Sequence, residues 1–231
     1  MSSGHRTVPT GLRLGSSNLI ASSSAIPGGK AVTRGWYKRG FDLAILFGAH
    51  VVLLPLWVML WTVIPLAILI DGGRPIFYAH PSIGQGGRVF RRLKFRTMIS
   101  GPATAEAFYT KQNDPRVTRV GRLLRKTAMD ELPQVINILR GEMSFVGPRP
   151  LGVKMHEHCV RECRQFPVRL RVPPGLTSPA HLFSDPADRL YIKPQRKLAY
   201  DRLYIRRMNP LLDVRIVLFS VWRTLRGRWD G

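Results

Sequence analysis

The sequence predicts a helix-rich, mixed α+β protein with a long apolar segment ahead of a compact domain. Three observations carry that reading. From Leu43 to Ile70 there is no Asp, Glu, Lys or Arg. After it, two strand-like runs flank the glycine-rich turn Gly84-Gln85-Gly86-Gly87. Near the C-terminus, Asn209-Pro210 opens an amphipathic helix, with Asn at the cap and Pro in the first turn. A chain of 231 residues accommodates one domain and an accessory segment, and a hydrophobic content of 45% permits a packed core.

Charge narrows the partners. Lys and Arg number 36 against 14 Asp and Glu, a formal net charge of +22. Such an excess calls for an anion: nucleic acid, acidic lipid or a phosphate-bearing substrate. Two cysteines, Cys159 and Cys163, make no disulfide framework, as expected in a reducing compartment.

Residues 1–33 are rich in Ser and Gly, without apolar periodicity, and are expected to form a loose tail; no apolar run marks them as a secretory signal. Residues 34–74 form the apolar segment. Its uncharged stretch exceeds the roughly 20 residues that cross a bilayer core. Two features oppose a straight crossing. Pro55 should interrupt the helix near its middle, against the carbonyl of Val51. Both flanks are also basic, with Arg34, Lys38 and Arg39 before and Arg74, Arg88, Arg91 and Arg92 after. The positive-inside tendency would put both on one side. A spanning helix and a re-entrant hairpin broken at Pro55 both remain open from pattern alone.

Residues 75–231 read as the mixed domain. Pro75 to Tyr78 and Val89 to Met98 are the strands. In the second, Arg92, Lys94 and Arg96 alternate with Leu93 and Phe95, so three cations share a face. Arg116, Arg119, Arg122 and Arg125 recur at three-residue spacing, which clusters guanidinium groups on a helix. Each set is either a solvated basic face or an anion receiver.

The stretch from Leu124 to Gln134 places Asp130-Glu131 after Arg125-Lys126 and before Pro133. A helix is expected from about Asp130 to Leu139, ended by Gly141, because Pro133 belongs only in a first turn. The cations and the helix dipole would then favour ionised carboxylates, as a nucleophile or a magnesium ligand requires. For an isolated Asp-Glu pair, ordinary helix capping is the better reading, and only the surrounding motifs favour chemistry. Farther on, Met143 to Val146 is a short apolar strand, and Gly147-Pro148-Arg149-Pro150 is a stiff turn presenting an arginine suited to bidentate phosphate recognition.

The last helix interleaves Leu211, Leu212, Val214, Ile216, Leu218 and Val221 with Arg215, Arg223, Arg226 and Arg228, and adds Trp222 and Trp229. It suits an acidic membrane surface or a core with an exposed basic face. His156, His158, Cys159 and Cys163 crowd one segment, whereas zinc sites usually draw ligands from two. There is no P-loop and no G-x-G-x-x-G.

Taken in order, Lys94-Phe95-Arg96-Thr97-Met98, Asp114-Pro115-Arg116-Val117-Thr118-Arg119-Val120-Gly121, Leu124-Arg125-Lys126-Thr127, Asp130-Glu131-Leu132-Pro133-Gln134, Arg140-Gly141-Glu142-Met143-Ser144, Gly147-Pro148-Arg149-Pro150 and Pro174-Gly175-Leu176-Thr177 resemble the bacterial sugar transferases, the monotopic phosphoglycosyl transferases. The likeness runs from about Lys38 to Trp229. It implies a re-entrant anchor broken near Pro55 and a catalytic domain on the cytoplasmic face of the bacterial inner membrane. It also implies that Asp130 is the nucleophile and that Glu131 holds Mg²⁺. Lys94, Arg96, Arg116, Arg125, Pro148 and Arg149 would contact the donor. The implied reaction moves a sugar-1-phosphate from a UDP-sugar to undecaprenyl phosphate through an aspartyl intermediate, releasing UMP.

Two segments depart from that family. Ala79-His80-Pro81-Ser82 lacks the arginine often found before the glycine turn, and Ser178-Pro179-Ala180-His181 replaces a common Gly and Gln. Two rival readings are a nucleic-acid binder, which leaves the uncharged stretch unexplained, and an inactive membrane scaffold, which leaves Asp130-Glu131 unexplained.

Overall fold

The computed structural model describes residues 36–99, 114–183 and 193–226. The expected tail over residues 1–33, together with Arg228 and Trp229, lies outside the described residues. The fold is helix-rich, with two small two-stranded sheets.

The apolar segment forms two helices, α1 (Lys38–Val52) and α2 (Leu54–Gly72), separated at Leu53, whose φ of −108° and ψ of 22° leave the helical region. Pro55 sits in the first turn of α2, where its missing N–H forfeits no helical bond. The proline therefore marks where the chain restarts as a helix. Pro65 lies inside α2, which continues through it. The break is closed by the His50 and Trp57 rings, stacked 4.3 Å apart, and by Trp57 Nε1–H donating to the Ala49 carbonyl at 3.2 Å.

Phe47, Val52 and Ile70 near these helices' ends are more than 70% exposed, so the pair presents a large apolar surface. Its two outer ends nevertheless grip the same body. Arg39 of α1 donates to the carbonyls of Ile138 and Leu139 at 2.6 and 2.7 Å. At the far end of α2, Ile64 and Ile68 pack on Phe95 and Leu124, and Asp71 accepts the Val120 N–H at 2.7 Å.

Strand β1 (Phe77–Ile83) pairs antiparallel with β2 (Val89–Phe95), Phe77 opposite Phe95 and Ile83 opposite Val89. β1 is longer than the expected Pro75–Tyr78. Each strand of a two-stranded sheet is an edge, so Pro81 is tolerated within it. β2 stops before Met98, which makes only an isolated bridge with Val117. Helix α3 (Arg119–Lys126) follows, capped by Thr118 Oγ1 accepting the Gly121 N–H at 2.9 Å. After a 3₁₀ turn (Met129–Glu131) come α4 (Gln134–Leu139) and β3 (Ser144–Val146).

β3 pairs in parallel with β4 (Gly175–Thr177), after α5 (Val153–Glu162) and a 3₁₀ stretch (Phe166–Arg171). Gly147 and Gly175 meet back to back, and a Cβ on Gly175 would lie 2.0 Å from the Gly147 nitrogen. Helices α6 (Pro179–Phe183), α7 (Pro194–Arg207) and α8 (Pro210–Leu225) complete the chain. Tyr204, Ile205, Met208 and Ile216 bury Val146, Val172 and Leu182 beneath them. Cys159 packs with Phe166 and Leu198 in a separate apolar cluster.

α8 combines both sequence readings. Asn209 Oδ1 accepts the Leu212 N–H at 3.0 Å, as its cap position requires. One stripe, Asp213, Ile216, Ser220 and Arg223, is buried, and Arg223 donates to the Leu182 carbonyl at 2.7 Å. A second stripe, Leu211, Val214, Leu218 and Trp222, is exposed.

A buried polar cluster locks α1 to this core. Asp213 accepts from Lys38 at 2.8 Å, Tyr37 at 2.7 Å and Tyr204 at 2.8 Å. Lys38 also donates to the Val146 carbonyl at 2.6 Å and bonds the Tyr204 hydroxyl. Asp42 accepts from Ser144 Oγ and Phe145 N–H at 2.9 and 3.0 Å. Removing one member of such a pair strands its partner's charge. Asp213→Ala is expected to lower unfolding stability by about 3–5 kcal/mol. Thermal unfolding of the detergent-solubilised protein measures this, and an unchanged midpoint would contradict the assigned linkage.

Candidate active site

Three segments bring the charged residues together: β2, the turn ahead of α4, and the loop after β3. At the end of α3, Ala128 adopts a left-handed φ of 56°, uncommon for a residue with a side chain. This reversal throws Met129–Glu131 into a separate 3₁₀ turn. The single helix expected from Asp130 to Leu139 is therefore divided. Pro133 occupies the capping position, α4 begins at Gln134, and neither acid caps it with its side chain. Asn137 fastens α4 to β2, accepting from Leu93 N–H and donating to the Arg91 carbonyl, both at 2.9 Å.

The period-two face of β2 is turned inward. Lys94 Nζ lies 2.8 Å from Glu131 Oε1 and 3.2 Å from Asp130 Oδ2. Arg149 grips Glu131 from the opposite segment, with Nη2 2.5 Å from Oε1 and Nη1 3.4 Å from Oε2. Both carboxylates are largely removed from water, Asp130 with a side-chain exposure of 10% and Glu131 of 6%. Among the described residues, Asp130 Oδ1 has no hydrogen-bond partner.

The two acids are tuned in opposite directions. Burial alone would raise Glu131, but Arg149 and Lys94 overcome it and hold the carboxyl well below the usual range. Burial raises Asp130, the neighbouring Glu131 charge adds to it, and Lys94 and Arg125 offset it only in part. Glu131 thus follows the expectation that its surroundings favour the ionised form. At Asp130 they act the other way, because desolvation outweighs the nearby Lys94 and Arg125 charges.

Other predicted site residues are distributed unevenly. Arg125 reaches inward, its Nε donating to Thr97 Oγ1 at 2.9 Å and its charge acting on Asp130. Pro148 stiffens the turn that presents Arg149 and lines a small cavity with Ile83, Arg169 and Pro174. Arg96 instead ties the junction of α2 and β1, donating from Nε to Met98 O at 2.9 Å and from Nη1 to the Arg74 carbonyl. Arg116 chelates Asp114, with an Nη2–Oδ2 distance of 2.7 Å. Both are engaged away from the carboxylate pair.

Sequence reading missed Arg169 and Asp201. Their buried pair, Nε to Oδ2 at 2.8 Å, lets Arg169 Nη2 hold the Arg149 carbonyl at 2.8 Å. They stand far apart in the chain and carry no local signal. The departures have places too. Ser82 is buried and bridges Gly152, and His80 lies opposite Arg92 in the hairpin. Ser178 is buried just after β4.

Mg²⁺ is commonly held by one or two carboxylates, with substrate phosphates and water completing its shell. Asp130 and Glu131 supply that number. Glu131 Oε2 is the freer oxygen, since Oε1 is shared by two cations. Among the described residues there is no cluster of three or more His, Cys, Asp or Glu. The acids therefore fit an ion completed by a phosphate ligand, not one caged by protein alone.

Paired acids of unequal basicity thus lie among a lysine and two arginines, a charge arrangement able to receive an anion. A model of the bacterial sugar transferase family matches residues 33–227, and the chain belongs to that family. It is 38% identical over 199 residues to the exopolysaccharide production protein ExoY of Sinorhizobium fredii, covering 80% of this chain and 83% of that one. It is 36% identical over 201 residues to an undecaprenyl-phosphate glucose phosphotransferase of Komagataeibacter xylinus, covering 83% of this chain but only 36% of that protein. A UDP-glucose:undecaprenyl-phosphate glucose-1-phosphate transferase of Escherichia coli is 35% identical over 162 residues, 69% of this chain and 35% of its own length. The chain thus spans about a third of the two named transferases and most of ExoY.

Opposite tuning gives opposite stability effects. Asp130 binds its proton more tightly folded than unfolded, so its ionised form costs stability, a cost that disappears as pH falls through its raised value. Asp130→Asn is expected to raise the thermal midpoint at neutral pH, with the gap to wild type closing on acidification. Glu131 stabilises fully above the unfolded carboxylate pKa of about 4.3 and loses this only as pH falls through its depressed value. Glu131→Gln strands Lys94 and Arg149 and should lower stability by about 3 kcal/mol. Thermal unfolding across pH separates the two, and a parallel loss in both variants would refute the assignment.

Proposed function

We propose that this chain transfers a sugar-1-phosphate from a UDP-sugar to undecaprenyl phosphate, an early membrane step of exopolysaccharide or glycoconjugate synthesis. The carrying observation is the Asp130-Glu131 pair, differently tuned and covered by Lys94, Arg125 and Arg149. Membership of the bacterial sugar transferase family and the named reactions of the relatives support the substrate classes.

In this scheme Asp130 Oδ1, the oxygen without a partner among the described residues, attacks the sugar-bearing phosphorus. The bond from that phosphorus to the bridging oxygen breaks, and the electron pair leaves with UMP. A phosphate oxygen of undecaprenyl phosphate then attacks the same phosphorus and displaces the Asp130 carboxylate. Lys94 holds Oδ2 and fixes the orientation of Oδ1, and desolvation leaves the attacking carboxylate little hydration to shed. Lys94, Arg125 and Arg149 neutralise charge on the diphosphate. Glu131, with Asp130, would hold Mg²⁺, which supplies further charge neutralisation when bound.

The acceptor lipid carries its phosphate at headgroup depth, so the site must work at the bilayer surface. The apolar pair α1–α2, exposed along its length and tied to the domain at both outer ends, suits a re-entrant anchor with both ends on the cytoplasmic face. The length and hydropathy of α2 alone would also permit a crossing. Leu211, Leu218 and Trp222 of α8 suit the adjoining interface. If so, detergent releases the chain from inner membranes and high salt does not. Release by high salt alone would return the basic chain to the nucleic-acid reading.

Purified protein in detergent with Mg²⁺, undecaprenyl phosphate and a panel of UDP-sugars is expected to release UMP from a preferred donor. Asp130→Asn should lose at least about 10³-fold of that rate, and excess EDTA should suppress it. Full turnover by folded Asp130→Asn would remove the nucleophile. Folded wild type inactive with every donor would favour the scaffold reading.

A further inference from the structure

We propose that Arg92 is a phosphate ligand of this site, a guanidinium held beside the carboxylate pair to receive an oxygen of a substrate phosphate. The inference deepens the function proposed above and rests on it.

Arg92 shares the inward face of β2 with Lys94, two residues on, and lies opposite His80 in the hairpin. Its Nη1 donates to the Pro150 carbonyl at 3.0 Å, next to Arg149. That is its only hydrogen bond with the described residues, although a guanidinium carries five donor hydrogens. Its Nε is buried and unpartnered. The nearby acids do not pair with it: Glu131 is taken by Lys94 and Arg149, and Asp130 by Lys94. Burial and the neighbouring Arg149 bring its pKa down to about 10, which still leaves it charged at neutral pH.

A half-buried cation with a buried, unpartnered Nε and a single carbonyl partner is unfavourable by itself, and the Glu131 and Asp130 charges offset this only through space. A phosphate arriving between Arg92, Lys94 and Arg149 would relieve it, and the planar fork suits two phosphate oxygens at once. The alternative is a brace, in which Arg92 serves only to hold Pro150. That role would make the residue stabilising without any anion. The ligand role makes it neutral or costly until an anion binds.

Arg92→Met, similar in length but uncharged, separates these in folded, detergent-solubilised protein. Expected are an unchanged or raised melting midpoint without ligand and loss of most of the midpoint increase that inorganic pyrophosphate gives wild type. In turnover, the KM of one substrate should rise about tenfold or more. A rise for the UDP-sugar assigns the donor diphosphate, and a rise for undecaprenyl phosphate assigns the acceptor. Arg92→Lys should recover part of the affinity, since it restores charge but not the fork. A lowered ligand-free midpoint with unchanged pyrophosphate response and both KM values intact would overturn the proposal in favour of the brace. The pyrophosphate comparison needs no turnover, so it judges Arg92 even if the wild type transfers no sugar and the proposed function fails.

Discussion

Glu131 is shared by two cations that come from different parts of the chain, Lys94 from β2 and Arg149 from the loop after β3. Neither contact is a surface ion pair of the kind worth little in water. All three groups are largely buried, so each charge needs the others in place. This triad fixes the spacing of the hairpin, the 3₁₀ turn and the loop after β3, and it leaves the neighbouring Asp130 with one oxygen that has no hydrogen-bond partner among the described residues. The unequal basicity of the acids follows from it. Glu131 has two strong partners, whereas Asp130 has one long contact and the same desolvation.

The triad is in turn supported from outside. Arg169, paired with Asp201, holds the backbone carbonyl of Arg149. Lys38 holds the carbonyl of Val146, just upstream of Gly147-Pro148-Arg149-Pro150, while its charge is met by Asp213 of α8. The base of the apolar helix pair and the core face of α8 are therefore bonded to the strand that presents Arg149. Under the proposed function, the same contacts set the height of the site relative to the bilayer. Asp71 does the equivalent at the other end of the pair by capping the backbone of α3.

Much of this was legible in the sequence because it is local. The break near Pro55, the glycine turn between strands, the Asn209 cap and the cations alternating along β2 follow from residue type and period. The ordered motifs identified the family that the match over residues 33–227 bears out. What the sequence concealed depends on geometry between distant segments. No spacing rule announces that Ala128 turns left-handed and divides the expected helix. Nor does one announce that Arg96 spends its donors on the α2–β1 junction, or that Arg116 closes on Asp114. The raised pKa of Asp130 runs against the sequence expectation for a related reason. Neighbouring cations are visible in sequence, but burial, the larger effect here, is not.

Under the proposed function, Asp130 becomes covalently attached to the phosphosugar before the lipid acceptor takes part. The direct measurement is a single-turnover experiment with the preferred UDP-sugar and Mg²⁺ but no undecaprenyl phosphate, following UMP release and the intact mass of the protein together. The account predicts about one equivalent of UMP per active site, a matching phosphosugar adduct on Asp130, and discharge of that adduct when undecaprenyl phosphate is added. UMP appearing only when donor and acceptor are both present, with no adduct at any time, would show direct transfer between substrates and contradict it.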